Sequence, residues 1–409
     1  MQLFYSLHGL TPLLWRGWGW SNFQTLQTLQ TPMINHTQIP SPCFVLDEAR
    51  FRSNLALIRA VGKQSDVEII LAFKAFAMWS VFPIVREYIA CSTASSLAEA
   101  RLAYEEMGNP AHTYAPAYTD KEFDEIVRYS SHITFNSIAQ FEKFYSRTLK
   151  HKISCGLRIN PEFSGVGTDL YNPCSPGSRL GIIAESIGYT LPEGVEGLHF
   201  HTLCESNSFD LEKTLLIVEK KFGHLLHQIK WLNMGGGHLM TRQGYNTEHL
   251  IQVLKAFKAK YPHLHIILEP GSAFAWQAGD LVATVQDIVT NKDVITAMLD
   301  VSFSCHMPDC LEMPYKPTIK GATDTVSGKP TYRMGGNSCL AGDFYGDWSF
   351  DKPLQVGDTI IFEDMIHYTM VKTTMFNGVT HPSIGVWTTS NEFKLIREFG
   401  YEDYKGRLS

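Results

Sequence analysis

Val67-Glu-Ile-Ile-Leu-Ala-Phe-Lys74 is the stretch from which the rest of this chain can be read. Its apolar run has the β-branched and aromatic character of a buried strand, and it ends on a lysine. Burying an ammonium costs several kcal/mol unless something compensates. The compensation can be chemical, because a desolvated lysine has a lowered pKa and makes a good Schiff-base nucleophile. The plainer alternative is a lysine that snorkels past the strand end to water. The residues on either side of the stretch decide between the two.

Strand-like apolar runs recur near 67–73, 88–92, 112–115, 132–135, 153–159, 196–201, 229–233 and 265–269, with helical patterns between most of them. Ser96-x-x-Glu99, Thr119-x-x-Glu122 and Ser137-x-x-Gln140 are capping-box signatures at plausible helix starts. Eight strands alternating with helices over roughly 220 residues is the arithmetic of a (β/α)8 TIM-like barrel. A doubly wound sheet shows the same alternation; the count of eight favours the barrel. After residue 276 the texture changes to short β-rich runs with Gly and Pro turns, at 281–286, 359–362 and 368–371. A second, C-terminal all-β domain is expected there.

The expected organisation is therefore a barrel over 48–275 and a β domain over 276–409, with 33–47 supplying an N-terminal strand to the β domain. Residues 1–32 differ in composition: Trp15, Trp18 and Trp20 crowd together ahead of Gln-Thr-Leu-Gln-Thr-Leu-Gln at 24–30. Arg16 interrupts their apolar part and no small-residue cleavage site follows, which argues against a signal peptide. They are expected to be a disordered extension, or to lie upstream of a start at Met33.

A chain of 409 residues, 44% hydrophobic and 19% charged, suits a globular enzyme with more than one core. Its net charge of −6, without a basic block, argues against nucleic acid and weakly favours a cationic substrate. Eight cysteines without a CxxC pair fit a reduced, cytoplasmic protein, and no apolar stretch reaches membrane-spanning length.

In a barrel, chemistry gathers at the C-terminal strand ends. Lys74 ends the first strand, Arg158 the fifth (Gly-Leu-Arg-Ile-Asn-Pro), His199 and His201 the sixth (Gly-Leu-His-Phe-His-Thr) and Glu269 the eighth (Leu-Glu-Pro-Gly); Gly235, Gly236 and Gly237 follow the seventh. Three glycines let backbone N–H groups cradle a phosphate, although a triple glycine alone is more often a turn. A buried carboxylate can hold a protonated pyridine nitrogen and keep the ring an electron sink; alone, Glu269 is equally half of an ion pair. The His201 imidazole can stack on an aromatic ring, or be a core histidine satisfied by hydrogen bonds. His199-x-His201 with Cys204 also reads as a metal site, but structural sites usually close with four ligands and no clear fourth is evident, so no metal is expected. Taken together, the lysine, glycines, carboxylate and imidazole describe a pyridoxal phosphate site.

These motifs, in this order from about Pro40 to about Trp387, resemble the fold-type-III, alanine-racemase-like pyridoxal-phosphate decarboxylases. Phe-Glu-Asp-Met-Ile-His-Tyr-Thr at 362–369, with Phe-Asn-Gly at 376–378, is similar to the C-terminal signature of ornithine and diaminopimelate decarboxylases. Gly-Asn-Ser-Cys-Leu-Ala-Gly-Asp at 336–343 resembles their catalytic-cysteine segment. The resemblance implies that Lys74 carries the cofactor, that His201 stacks on its ring and that Glu269 meets its pyridine nitrogen. It also implies that Gly235 to Gly237 and Tyr368 hold the phosphate, with Arg158 supporting Glu269 or the ring. Cys339 and Asp343 would reach the active site of the other subunit of a homodimer, with Cys339 as the acid that protonates Cα.

Departures narrow the substrate. Leu340 stands where the ornithine enzymes carry aspartate and the diaminopimelate enzymes glutamate, and Ser272 stands where the latter carry arginine. His-Phe-His-Thr-Leu-Cys-Glu, Glu-Pro-Gly-Ser-Ala and Ser-Cys-Leu-Ala-Gly-Asp look like the branch that decarboxylates carboxynorspermidine and carboxyspermidine. Asp309, Glu312 and Asp343 are the expected partners for the ammoniums of such a triamine. The alternatives are decarboxylation of diaminopimelate, ornithine or another basic amino acid, a racemase with the same lysine and barrel but a second base, and a non-catalytic cofactor carrier.

Overall fold

The computed structural model describes residues 34–167 and 169–409; the expected extension over 1–32 lies outside them. The chain enters through β1 (Cys43–Asp47), buried along its whole length. The Asp47 carboxylate accepts the Arg50 N–H at 3.0 Å and so caps the helix Glu48–Ser65. Phe51, Leu55, Ile58 and Val61 fall on one face of that helix at helical spacing and are buried.

The next strands form one parallel sheet: β2 (Glu68–Ile69), β3 (Leu71–Ala72), β4 (Ser92–Ala94), β5 (Ala111–Tyr114), β6 (Ser130–Phe135), β7 (Ser154–Arg158), β8 (Val195–His199), β9 (Trp231–Asn233) and β10 (His265–Leu268). The sheet's two ends are β2 and β3, which are separated in the chain by Ile70 alone. Ile70 N–H donates to Leu268 on one side and Leu71 N–H to Cys91 on the other, so the sheet closes on itself as a TIM-like barrel. Trp231 fills the interior against Gly156 and Gly197, and its indole N–H donates to Ser154 Oγ at 2.8 Å. The barrel is a packed core, not a pore.

The helix starts follow local chemistry. Ser96 and Ser137 accept the N–H groups of Glu99 and Gln140 at 3.2 and 3.1 Å. Thr119 does not cap: its hydroxyl donates to the Glu122 side chain at 3.0 Å, and the helix begins at Phe123 without a side-chain cap. The run at 88–92 is strand only at its end. Tyr88 and Ile89 close the turn after the helix Phe82–Arg86, with their N–H groups on Val85; Cys91 accepts the first ladder bond, from Leu71, and β4 starts at Ser92.

The second sheet contains β11 (Gly279–Asn291), β12 (Val294–Leu299), β13 (Ala322–Thr323), β14 (Thr331–Gly335), β15 (Phe344–Phe350), β16 (Thr359–Glu363), β17 (Ser383–Trp387) and β18 (Phe393–Arg397), together with β1. β1 lies between β11, antiparallel, and β17, parallel. One hydrophobic core joins both sheets, including Phe44, Leu268, Leu281 and Phe362. Residues 368–371, expected as a strand, instead form a turn into a 3-10 helix, Met370–Lys372. Tyr368 has φ 43°, incompatible with an extended strand, and its N–H donates to Ala75 at 2.7 Å. The second sheet is thereby tied to the barrel rim beside Lys74.

Candidate active site

The C-terminal strand ends open on a cavity of about 630 Å3 whose lining includes Lys74, Arg158, His201, Gly237, Asp309 and Tyr368. Lys74 stands in the turn after β3, with Nζ 3.3 Å from His201 Nε2. Burial lowers its amine below the ordinary lysine range, against the pull of Glu269. An amine that is neutral in the folded protein is the form that attacks a carbonyl carbon.

His201 is oriented by the glycine loop. Gly236 N–H donates to its Nδ1 at 3.0 Å, which leaves the proton of the neutral ring on Nε2, facing Lys74. Burial, with Lys74 beside it, pushes the imidazole down to about 3. Glu269 is buried at the floor. Asn233 Nδ2 donates to one carboxylate oxygen at 2.9 Å, and His199 Nε2 lies 3.2 Å from the other. Burial alone would raise this carboxyl, but the His199 and His201 imidazoles beside it hold it well below the usual carboxylate range.

Gly235 and Gly237 have φ of 73° and 82°, and a Cβ at either would meet backbone oxygen of Phe200 or Leu203 within 2.4 Å. Glycine is required there by the turn itself. Gly235 N–H is taken by Asn233 Oδ1 at 2.8 Å and Gly236 N–H by His201, so Gly237 is the glycine of the three that lines the cavity. Arg158 does not bond Glu269. Its Nη2 donates to the His201 carbonyl at 3.1 Å, and its guanidinium lies 4.7 Å from the centroid of the Tyr114 ring.

The three acids expected to meet substrate are all engaged by the protein. Lys372 Nζ donates to both Asp309 and Glu312 at 2.6 Å, and of these two acids only Asp309 lines the cavity. Asp343 is buried beneath its loop and accepts the N–H groups of Ser304 and Ser338, both at 3.0 Å. Cys339 is exposed, with its N–H on Asn377 Oδ1 at 2.8 Å, and does not line the cavity of its own chain.

Sequence reading missed Asn233, which fixes both Glu269 and Gly235, and Lys372, which holds two acids. Nothing local marks either role, because the acids they hold, Glu269, Asp309 and Glu312, lie 36 to 63 residues away. For the metal reading, the carboxylate that sequence distance concealed is Glu269. It brings one oxygen within 4.8 Å of ligand atoms of His199 and His201, and Cys204 is not part of that group.

Comparison with known proteins defines the class. Residues 43–366 match the model of the family described as "Pyridoxal-dependent decarboxylase, C-terminal sheet domain". The chain belongs to this family of pyridoxal-dependent decarboxylases. It is 53% identical over 380 residues to a carboxyaminopropylagmatine decarboxylase of Synechocystis sp., covering 93% of this chain and 98% of that one. It is 44% identical to a carboxynorspermidine/carboxyspermidine decarboxylase of Campylobacter jejuni, covering 91% and 99%. The crystal structure of carboxynorspermidine decarboxylase from Campylobacter jejuni, complexed with norspermidine, superposes with a TM-score of 0.83 at 43% identity, covering 90% of this chain and all of that one.

Pyridoxal phosphate is the cofactor of the family, and the residues fit it. A desolvated lysine amine, an ionised carboxylate and an imidazole line one small pocket, and the lysine and imidazole also line the large cavity. The protein is a pyridoxal-phosphate-dependent decarboxylase.

Proposed function

We propose that the protein removes, as CO2, the α-carboxylate of a carboxylated triamine, carboxynorspermidine or carboxyspermidine, leaving norspermidine or spermidine. The carrying observation is the desolvated Lys74 amine next to His201 and within the field of Glu269, in a cavity large enough for a cofactor and a long substrate. The relatives at 53% and 44% identity, both named as decarboxylases of carboxylated polyamines, support the substrate class. The first of them favours a second reading within that class, carboxyaminopropylagmatine.

Each residue then has a task. Lys74 would hold the cofactor covalently through its Nζ. His201, fixed by Gly236, would pack on the cofactor ring, and Glu269, held ionised with Asn233 and His199 on its oxygens, would pair with the ring nitrogen. Gly237 and Tyr368, which line the cavity, would hold the phosphate. When bound, pyridoxal phosphate supplies the electron sink for the pair left by the departing CO2. A proton must return to the same carbon, and the thiol of Cys339 is the donor we assign.

That donor comes from a second copy. Cys339 lies outside its own cavity, within an exposed apolar patch that includes Leu340, Phe344 and Phe376. Such a patch is what a two-fold partner would cover. We therefore assign a homodimer with shared sites. The eight thiols are all free, which supports a cytoplasmic location. Among the described residues no helix is long and apolar enough to cross a membrane.

CO2 release from carboxynorspermidine, carboxyspermidine and carboxyaminopropylagmatine, set against ornithine and diaminopimelate, tests the reaction. Turnover confined to the polyamine group is expected, and preference for either amino acid would overturn the reading. Mixing inactive Lys74→Ala with inactive Cys339→Ala tests the shared site. Random reassortment makes about half of the dimers mixed, each with one intact site, so roughly a quarter of wild-type turnover should return. Absence of recovery after confirmed subunit exchange would place Cys339 in its own chain's site.

A further inference from the structure

Four groups of acidic side chains line the cavity or lie near it, and three of them already have partners in the protein. Asp309 and Glu312 share Lys372. Asp364 lies 3.1 Å from His367 Nε2 and accepts the Gln277 N–H at 2.6 Å. Glu269 is held by Asn233 and His199. The fourth is Glu205, four residues beyond His201 in His-Phe-His-Thr-Leu-Cys-Glu. Its side chain lines the same cavity as Lys74, and among the described residues it has neither an ion-pair nor a hydrogen-bond partner.

From these positions we infer that Glu205 receives the distal cation of the substrate and so is a specificity-determining residue of the reaction proposed above, on which this inference rests. The charge balance of the cavity supports the assignment. Glu205 is exposed by surface area, yet the protein around it partly desolvates its carboxyl and, with Asp364 and Asp309 nearby, raises it more than Arg242 and His367 lower it. A carboxylate in that position is stabilised by any cation brought to it, and the substrate class carries one at the end remote from its α-carbon. The backbone holds the group there at some cost: Glu205 has φ 45°, a conformation side-chain-bearing residues adopt rarely and mostly where position matters. Lys372, by contrast, already supplies the cation for Asp309 and Glu312, so a substrate ammonium would have to displace two 2.6 Å contacts to use them.

The experiment is steady-state kinetics of the holoenzyme and its Glu205→Gln, Glu205→Asp and Asp309→Asn variants on whichever carboxylated polyamine the wild type turns over fastest. Loss of one charge-assisted hydrogen bond predicts a KM roughly ten- to a hundredfold higher for Glu205→Gln, with kcat within a few fold. Cofactor absorbance should be unchanged, and Glu205→Asp should recover part of the loss. A KM for Glu205→Gln within twofold of wild type would overturn the inference while leaving the proposed reaction intact. A large rise in Asp309→Asn alone would overturn it too and move the role to Asp309. Equal losses of kcat and cofactor absorbance in Glu205→Gln would show a structural role and overturn it as well. If the wild type turns over none of the polyamine substrates, the reaction assignment fails first and the inference goes with it.

Discussion

Lys74 shows what a single residue can reveal. A lysine at the end of an apolar run is conspicuous because charge is costly to bury, and the structure places that amine where burial lowers its pKa. Borohydride reduction of the holoenzyme should therefore fix the cofactor to the peptide containing Lys74, read by mass spectrometry; label on another lysine would sink the assignment. Glu269 was legible for the same reason, as a carboxylate after Ile-Ile-Leu. Asn233 was not, since an asparagine after two apolar residues looks like an ordinary strand end. Its importance comes from a side chain that bridges Glu269 and the Gly235 N–H. Glu205 was equally silent: its motif could be read, but its lack of a partner could not.

Among the elements, the glycines of β7 and β8 carry the sharpest constraint. A Cβ on Gly197 would sit 2.0 Å from the Trp231 indole, inside a barrel with no slack. Gly197→Ala should lower stability by about 1–3 kcal/mol, the usual cost of overpacking, measured as a shift of the urea midpoint. Gly223 is the control, because in the helix Ser208–Leu226 a Cβ there meets nothing within 4 Å. Gly223→Ala should instead stabilise by about 0.5–1 kcal/mol, since alanine loses less backbone entropy in a helix. Equal behaviour of the two variants would show that Trp231 is not the constraint. The strand misread at 88–92 failed at this same scale. Val85, Tyr88 and Ile89 are apolar because they back a helix end against the core, and so short a segment has no period by which to tell strand from helix.

Across the whole molecule, buried neutral histidines make stability depend on pH. Burial pushes His238 and His306 down to about 4 each. Unfolded histidine titrates near 6.5, so these groups contribute their full stability above that pH and lose it as pH falls toward 4. Each should cost about 1.4 kcal/mol per pH unit through that window. Urea midpoints should fall from pH 7.5 to pH 5, and His306→Gln should fall less steeply than wild type; identical slopes would remove His306 from the account. Neither histidine was marked in the sequence, because burial among residues far apart in the chain is not written in the neighbours of either one.

What the sequence determined by itself is the alternation of strands and helices, the change of texture near 276, and the cofactor chemistry. Each of these rests on local patterning or on a residue type that is costly where it stands. Only the tertiary structure decided which groups are spent and which remain free. Lys372 claims Asp309 and Glu312, the backbone claims Asp343, two of the three glycine N–H groups turn inward, and Glu205 is left facing the cavity. The physical reason is that neutralising a charge or satisfying a hydrogen bond depends on distances within a few Å, and those distances join residues that chain order keeps apart.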